Sequence, residues 1–419
     1  MTSNGAHHVG SGRYIDPAPI PSSTVTTAHE LKTVDHARVN GVLRTVPGAT
    51  TVAFLMHPRQ DFTHHVLVPE LLARGYAVWT QSGRAGTNDV ALLHEQALLD
   101  MAVGHVFLRD RGFERVVSVG HSGGGALAAY YIEQASLEAV DRVTDTPGGK
   151  AVPLASAQMP VPDGLMMMAP HPGQGQLLLN MIDPSVADET DPLSIVGALD
   201  PYSPRNGFRT PPKSATYTAE FIEDYRAAQH RRIERIDAIA RQRVERSNEA
   251  SKRFAEDGDP SQRRIALGAG VIVVHRTDAD LRGVDLSLDP NHRPYGSLFG
   301  RRPDLTNYGV VGFGRMTTPE AWLSTWSGIS SRASLLRCAR GVHIPTLLIE
   351  LTGDQASFPS DSLATVEAIA SDDVSLIRVP GMHFGAALEA GTTAGATLAG
   401  HAMAGWLGER FPTAALASV

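Results

Sequence analysis

A serine flanked by glycines is the first candidate for chemistry in this sequence. The stretch Gly120-His121-Ser122-Gly123-Gly124 matches G-x-S-x-G, directly after an apolar run that predicts a strand and directly before a small-residue stretch that predicts a helix. A nucleophile on so sharp a turn needs small residues two positions before and after it, because strand and helix pass close together. Ser122 is therefore a candidate nucleophile at a helix N-terminus, where free N–H groups favour negative charge.

Three other interpretations of the same stretch have to be weighed. A phosphate loop would need a lysine after the glycines, and none follows. A dinucleotide fingerprint on Gly123, Gly125 and Ala128 would need an acidic residue at the end of a second strand about 20 residues on, where no strand is predicted. A plain strand-to-helix turn capped by serine stays open on the pentapeptide alone. Partners elsewhere in the chain must decide.

Two downstream residues could activate the serine, since a hydroxyl is a weak nucleophile that needs a general base held by a third group. His383 follows the last predicted strand, in VPGMHFG, and Asp354 follows the strand before it, in LTGDQASFP. Ser122, Asp354 and His383 thus each end a predicted parallel strand, and ligand sites in open α/β sheets gather at that edge. Three rival acids fall inside the next helix or before the last strand: Asp361, Asp372 and Asp373.

The elements around these residues predict a mostly parallel sheet. From about residue 24 to 46, alternating polar and apolar residues predict two antiparallel strands. Beyond them, apolar runs of strand length alternate with helical stretches: TTVAFLMHP, YAVWT, RVVSVG, GLMMMAP, IPTLLIELTGD and VSLIRV. Because these later strands show no clear alternation, they favour an α/β fold, a parallel sheet sandwiched by helices.

Between residues 171 and 340 the pattern changes. A turn-rich stretch precedes one long charged helix with an apolar stripe, and AGVIVVHRTDADLRGVDLSL predicts a hairpin. We interpret residues 171–340 as a large, mainly helical insertion between two strands of the sheet. Residues 23–170 and 341–419 are then the core, and residues 1–22, rich in Gly, Pro and Ser, are a flexible leading tail.

With these residues and elements the sequence resembles the α/β-hydrolase superfamily, over about residues 25–170 and from residue 344 to the C-terminus. The resemblance implies that GHSGG is the nucleophile elbow, with Asp354 as triad acid and His383 as triad base. It places residues 171–340 where members of that superfamily commonly insert a cap or lid.

The resemblance also implies an oxyanion hole of two N–H groups. One should be the N–H of Gly123, and the other should come from the loop after TTVAFLM. Many relatives have His-Gly there, whereas this chain has His57-Pro58-Arg59. Pro58 has no N–H, so Arg59 is expected to be the second backbone donor. Hydrogen bonds from His57 are expected to brace the loop. Three histidines are candidates for lining the pocket: His57, His121 and His171.

A metal site is an alternative interpretation of HPRQDFTHH, through His57, Asp61, His64 and His65. Adjacent histidines diverge in a helix, and Asp61 could face only one of them. We therefore expect no metal and no other cofactor.

Composition limits the partners. A formal net charge of −7 provides no basic field for nucleic acid or anionic lipid. Cys338 is the only cysteine, which excludes an intrachain disulfide and a cysteine-based zinc site. The N-terminus lacks the pattern of a signal peptide, and no apolar run reaches the ~18 residues of a membrane span. We expect a cytoplasmic protein with a small-molecule substrate, and homo-oligomerisation stays open.

The expected function is that of a carboxylesterase-like serine hydrolase acting through an acyl-enzyme. The same triad could cleave an amide or a carbon–carbon bond next to a ketone, or could transfer an acyl group as a thioesterase or acyltransferase does. A hydrolase-fold binding protein without catalysis is the alternative from another class.

Overall fold

A mixed sheet of eight strands forms the centre of the fold in the computed structural model, which describes residues 18–86, 89–268 and 270–412. The described strands are β1 (Val25–Lys32), β2 (Arg38–Thr45), β3 (Thr51–His57), β4 (Ala77–Ser82), β5 (Arg115–His121), β6 (Gly164–Met168), β7 (Ile272–Val273), β8 (Met316–Thr317), β9 (Thr346–Leu351) and β10 (Val374–Val379). Strands β7 and β8 form a separate ribbon, and the others lie in the order β1-β2-β4-β3-β5-β6-β9-β10. β2 is antiparallel to β1 and β4, and all later neighbours are parallel.

Helices cover both faces of this sheet. The described α-helices are α1 (Leu67–Leu72), α2 (His94–Asp110), α3 (Gly123–Ala135), α4 (Gln174–Met181), α5 (Ala219–Asp257), α6 (Pro260–Leu267), α7 (Pro303–Thr306), α8 (Pro319–Ala321), α9 (Leu335–Cys338), α10 (Pro359–Ala368) and α11 (Gly395–Arg410). Apolar side chains of α2, α3, α9 and α10 pack on one face, and those of α1 and α11 pack on the other. Covered on both sides, β3, β6 and β9 are buried along their whole length, which explains their unbroken apolar runs.

This architecture, a mostly parallel sheet with helices on both faces, confirms the predicted fold class. The antiparallel pair near the N-terminus lies where the alternation placed it, with Val25 opposite Thr45. The predicted parallel strands are all present.

The chain between β6 and β9 forms a largely helical insertion with an apolar core of its own. The stripe of the 39-residue helix α5, with Ile233, Ile236 and Ala240, packs against α4 and against Trp322 and Trp326. The insertion therefore folds around its own buried face and is anchored to the sheet at both ends. Its proposed limits, residues 171 and 340, stay a prediction.

The predicted hairpin after residue 268 is wrong. Strand β7 pairs with β8, more than forty residues further on, in the register Ile272–Thr317 and Val273–Met316. Arg276 has a φ of 53°, a left-handed conformation that interrupts a regular strand. The chain therefore turns away, and Asp278 enters buried hydrogen bonds.

Most of the proposed N-terminal tail, residues 1–17, lies outside the described residues. Among the helices that the structure describes, none has both the length and the apolar character needed to cross a bilayer.

Candidate active site

Ser122, Asp354 and His383 meet at the carboxyl edge of the sheet. Ser122 follows β5, Asp354 follows β9, and His383 follows β10. The Nε2 atom of His383 lies 2.9 Å from Ser122 Oγ, and its Nδ1 atom lies 2.9 and 2.8 Å from the two carboxylate oxygens of Asp354. An ionised carboxylate only accepts hydrogen bonds, so Nδ1 carries the proton and Nε2 presents a lone pair to the serine hydroxyl.

The turn that carries Ser122 is strained and tightly packed. Ser122 has a φ of 56° and a ψ of −126°, unusual for a residue with a side chain. A Cβ on Gly120 would lie 2.5 Å from the backbone of Gly125, and one on Gly124 would lie 2.8 Å from Met56 O. The glycines are therefore needed because helix α3 starts in contact with two strands. Its first residue, Gly123, has no earlier helical carbonyl to bond, so its N–H stays available beside Ser122 Oγ.

The carboxylate of Asp354 is held in place by the backbone that follows it. Its Oδ1 accepts the N–H groups of Ala356 (2.7 Å) and Ser357 (3.0 Å), and the residue is fully buried. The insertion reaches the same loop, since Asn291 Nδ2 donates to Asp354 O over 2.9 Å. None of the rival acids makes this contact; Asp361, for example, accepts the N–H of Phe358 at the start of α10.

A pair of buried histidines lies behind the triad. Leu67 N–H donates to His65 Nδ1 (3.3 Å), so the proton of His65 is on Nε2 and points at His121 Nδ1, 2.9 Å away. The other nitrogen of His121, Nε2, then carries a proton and donates to the carbonyl oxygen of His383 over 2.8 Å. His121 thus contacts the main chain of the triad histidine rather than an open pocket.

Burial keeps both of these histidines neutral. It lowers the pKa of His65 to about 3. It also lowers the pKa of His121 well below the usual range, with smaller contributions from His65 and His383. Hydrogen bonding therefore fixes which nitrogen of each ring carries the proton over the ordinary pH range. We call the three hydrogen bonds from Leu67 N–H through His65 and His121 to His383 O the relay; each of them donates toward His383.

His57 ends β3 and organises the loop after it. Its Nδ1 accepts the N–H of Arg59 (3.0 Å) and that of Gln60 (2.9 Å). The Arg59 N–H, expected to bind the oxyanion, is thus engaged within its own loop. The Arg59 guanidinium pairs with Asp89 and lies 5.0 Å from the ring centroid of Trp326.

His171, in the loop after β6, and Gln174, the first residue of α4, flank Gly123. His171 Nδ1 accepts the N–H of Gly173 (3.1 Å), so its proton is on Nε2. Burial lowers the pKa of His171 to about 3, which keeps the ring neutral. A Cβ on Gly123 would lie 3.0 Å from His171 Nε2 and 1.9 Å from Gln174 Nε2. Sequence reasoning missed Gln174, because a glutamine two residues after His-Pro carries no motif.

The loop after β3 shows no metal site. His65 is engaged with His121, and Asp61 accepts the N–H and hydroxyl of Thr63. Across the described residues, no group of three or more His, Cys, Asp or Glu side chains is arranged to hold a metal ion.

Comparisons with known proteins give structural likenesses only. No protein-family model matches the sequence, and no curated protein matches it. Among solved structures, DcsB in complex with its substrate analogue has a TM-score of 0.46 and 13% identity, over 92% of this chain and 99% of that one. The esterase domain of a Rhodothermus marinus protein has a TM-score of 0.40 and 12% identity, over 91% and 98%. Brefeldin A esterase, a bacterial homologue of human hormone-sensitive lipase, has a TM-score of 0.42 and 12% identity, over 94% and 80%.

Proposed function

We propose that this protein is a serine hydrolase that cleaves a carboxylic ester of a small molecule through an acyl-enzyme. The observation that carries the proposal is the unbroken line of hydrogen bonds from Asp354 through His383 to Ser122, each shorter than 3 Å. Such a line supplies a nucleophile, its general base and the group that orients the base.

In the acylation step, Ser122 Oγ attacks the carbonyl carbon of the ester while its proton passes to His383 Nε2. The carbonyl electron pair moves onto oxygen, and the N–H of Gly123 stabilises the resulting oxyanion. The oxyanion then collapses, the carbon–oxygen bond to the leaving alcohol breaks, and the alcohol takes the proton from His383 Nε2. Asp354 stabilises the imidazolium that exists between these two proton transfers.

Deacylation repeats the sequence with water. His383 Nε2 takes a proton from a water molecule as the water oxygen attacks the acyl carbon, and it returns the proton to Ser122 Oγ when the acid leaves. The balance is one ester and one water in, one acid and one alcohol out. No step calls on an electron donor or acceptor.

Covalent labelling tests the nucleophile. A fluorophosphonate probe should label the wild-type protein and should not label Ser122→Ala, whose ester hydrolysis should fall by about 10⁴-fold or more. The matched control is Ser136→Ala, at an exposed serine just beyond the other end of α3, which should label like the wild type. Absence of labelling in the wild type, or equal labelling of Ser122→Ala, would show that the protein is not a serine hydrolase.

A substrate panel separates ester cleavage from its alternatives. p-Nitrophenyl esters, anilides, thioesters and ring-cleavage diketones should be offered to wild type and Ser122→Ala, with and without an added alcohol. We expect esters to be turned over fastest, with water as the acyl acceptor. Faster turnover of another class, or transfer to the alcohol, would reassign the reaction while keeping the triad.

A further inference from the structure

Of the two expected oxyanion donors, one is free among the residues that the structure describes. The N–H of Gly123 is available at the start of α3, but the N–H of Arg59 donates to His57 Nδ1 over 3.0 Å. The next residue, Gln60, donates to the same nitrogen over 2.9 Å. Removing one donor from an oxyanion hole costs about 10²–10³-fold in kcat, so a second donor from another part of the site has a large effect.

The side-chain amide of Gln174 is such a donor. Gln174 is 2% exposed, and among the described residues its Nε2 atom has no hydrogen-bond partner. A buried amide group without a partner costs free energy, so natural proteins rarely leave one without a use. This nitrogen lies beside Gly123, 1.9 Å from where a Cβ would stand on that glycine.

The amide is held from its oxygen side. Gln174 Oε1 lies 3.2 Å from His94 Nε2. Burial lowers the pKa of His94 to about 4, so the ring is neutral and has one N–H. The amide oxygen of Gln174 only accepts hydrogen bonds, so this contact places the His94 proton on Nε2. With the oxygen held by His94, the NH₂ group of Gln174 faces Gly123.

The start of α4 is fixed in position, which keeps the amide in place. A Cβ on Gly173, whose φ is 113°, would lie 2.3 Å from Ala333 O, and one on Gly175 would lie 2.5 Å from Ser327 O. Leu335 N–H donates to Pro172 O over 2.9 Å. The turn is clamped between two parts of the chain, and a donor held in this way needs little reorganisation during the reaction.

We propose that Gln174 supplies the second, side-chain half of the oxyanion hole, opposite the backbone N–H of Gly123. The proposal rests on the proposed serine-hydrolase function. When Ser122 Oγ bonds to the carbonyl carbon, the carbonyl oxygen gains the electron pair and accepts hydrogen bonds from Gly123 N–H and Gln174 Nε2–H. When the leaving alcohol departs with the proton of His383, the carbonyl reforms and both hydrogen bonds weaken.

Three substitutions test this role. Gln174→Met keeps the size of the side chain and removes the donor, Gln174→Glu keeps its shape and replaces the NH₂ group by oxygen, and Gln176→Met is the matched control. Gln176 lies on the same helix, but its amide donates to Gly328 O. Each variant is assayed for ester hydrolysis, for fluorophosphonate labelling and for inhibition by a trifluoromethyl ketone, whose adduct with Ser122 carries an oxyanion.

We expect Gln174→Met to lower kcat by roughly 10²–10³-fold with little change in KM, and to weaken the ketone's inhibition constant by a similar factor. Gln174→Glu should lose at least as much, because a carboxylate repels an oxyanion. Gln176→Met should change neither quantity. Thermal melts identify a variant that does not fold. If Gln174→Met does not fold, Gln174→Glu takes its place in the comparison with Gln176→Met.

The outcomes separate this inference from the function on which it rests. If the wild type labels and hydrolyses esters but Gln174→Met keeps its kcat and its affinity for the ketone, the oxyanion role is wrong while the hydrolase stands. Wild-type kcat in Gln174→Glu would also overturn it, since the amide would then face the site with its oxygen. If the wild type neither labels nor hydrolyses, the proposed function itself fails.

Discussion

In three buried histidines, a hydrogen bond from a neighbouring main-chain N–H decides which ring nitrogen carries the proton. A main-chain N–H has no acceptor capacity, so the ring nitrogen it meets must present a lone pair. This rule puts the proton of His65, His57 and His171 on Nε2. In the relay behind the triad it makes His121 a donor to the carbonyl of His383. His121 is therefore a positioning residue, since it acts through the main chain of His383.

Replacing His121 tests this positioning role. His121→Met removes two buried hydrogen bonds, one from His65 and one to His383 O. The bond to His383 O contributes about 1–1.5 kcal/mol, so we expect its loss to lower kcat roughly tenfold with KM little changed. His121→Gln can still donate an N–H toward His383 O and should recover most of kcat. Steady-state kinetics and the rate of fluorophosphonate labelling measure both effects.

The matched control for His121 is His105, another buried histidine, which is stacked on Tyr131 and whose Nε2 lies 3.3 Å from Ser118 Oγ. His105→Met should lower the melting temperature without lowering kcat. Unchanged kcat in His121→Met, or no recovery in His121→Gln, would contradict the relay.

At the scale of elements, the strand-to-helix junction after β5 has no room for a side chain on its inner face. The Cα atom and N of Gly125 lie 2.5 Å from where a Cβ of Gly120 would stand. Both are main-chain atoms, so neither can rotate away as a side chain does. The glycines of the elbow are thus required by packing, independently of any chemistry at Ser122.

Gly120→Ala should therefore destabilise the fold. We expect a loss of about 1–3 kcal/mol in the free energy of unfolding, as for overpacked interiors, measured by urea titration. The control is Gly405→Ala in the exposed part of α11, where a Cβ would meet nothing within 4 Å. That change should stabilise by about 0.5–1 kcal/mol, because alanine favours helix. Equal stability of Gly120→Ala and the wild type would contradict the tight junction.

At the scale of the whole molecule, the insertion has a polar interior as well as an apolar core. The pKa values of two aspartates in this interior are shifted in opposite directions. Burial raises the pKa of Asp278 to about 6, and its Oδ1 has no hydrogen-bond partner among the described residues. Burial alone would also raise the pKa of Asp280, but the guanidinium groups of Arg282 and Arg226 outweigh it and lower that pKa to about 2. The insertion is also tied to the sheet region, since the guanidinium of Arg282 lies 3.7 Å from the ring centroid of Phe358.

The raised pKa of Asp278 predicts a pH dependence of stability. A carboxyl group whose folded pKa exceeds its unfolded value of about 3.9 contributes stability below pH 4, and this is lost as pH rises through 6. The free energy of unfolding of the wild type should therefore fall, relative to that of Asp278→Asn, by about 3 kcal/mol between pH 4 and 7. Denaturant titrations at a series of pH values measure the difference.

Asp280→Asn is the contrasting control. The depressed pKa of Asp280 contributes stability above about pH 4 that is lost as pH falls through 2. Removing this carboxylate should destabilise the protein at pH 7, because Arg282 and Arg226 lose the ion pairs that they make with it. A pH-independent difference between wild type and Asp278→Asn would show that Asp278 is ionised in the folded protein.

Local patterns predicted the elements well where one periodicity dominated. The unbroken apolar runs indicated parallel strands, because both faces of such strands are covered. The apolar stripe at helical spacing predicted α5. The ribbon of β7 and β8 was not predictable in the same way, because its partners are distant in sequence and the left-handed Arg276 ends the local strand pattern. Ser122, Asp354 and His383 could be named because each follows a strand of recognisable pattern.

The sequence by itself determined the fold class, the position of the elbow and the three residues that meet there, since strand and helix patterns are local and parallel strands end at a common edge. Only the tertiary structure decided which N–H groups lie near Ser122. It engaged Arg59 N–H with His57, turned His121 toward the main chain of His383, and brought the free amide of Gln174 beside Gly123. The physical reason is that hydrogen-bond donors are assigned by competition among neighbours in space, and these neighbours come from four separate parts of the chain.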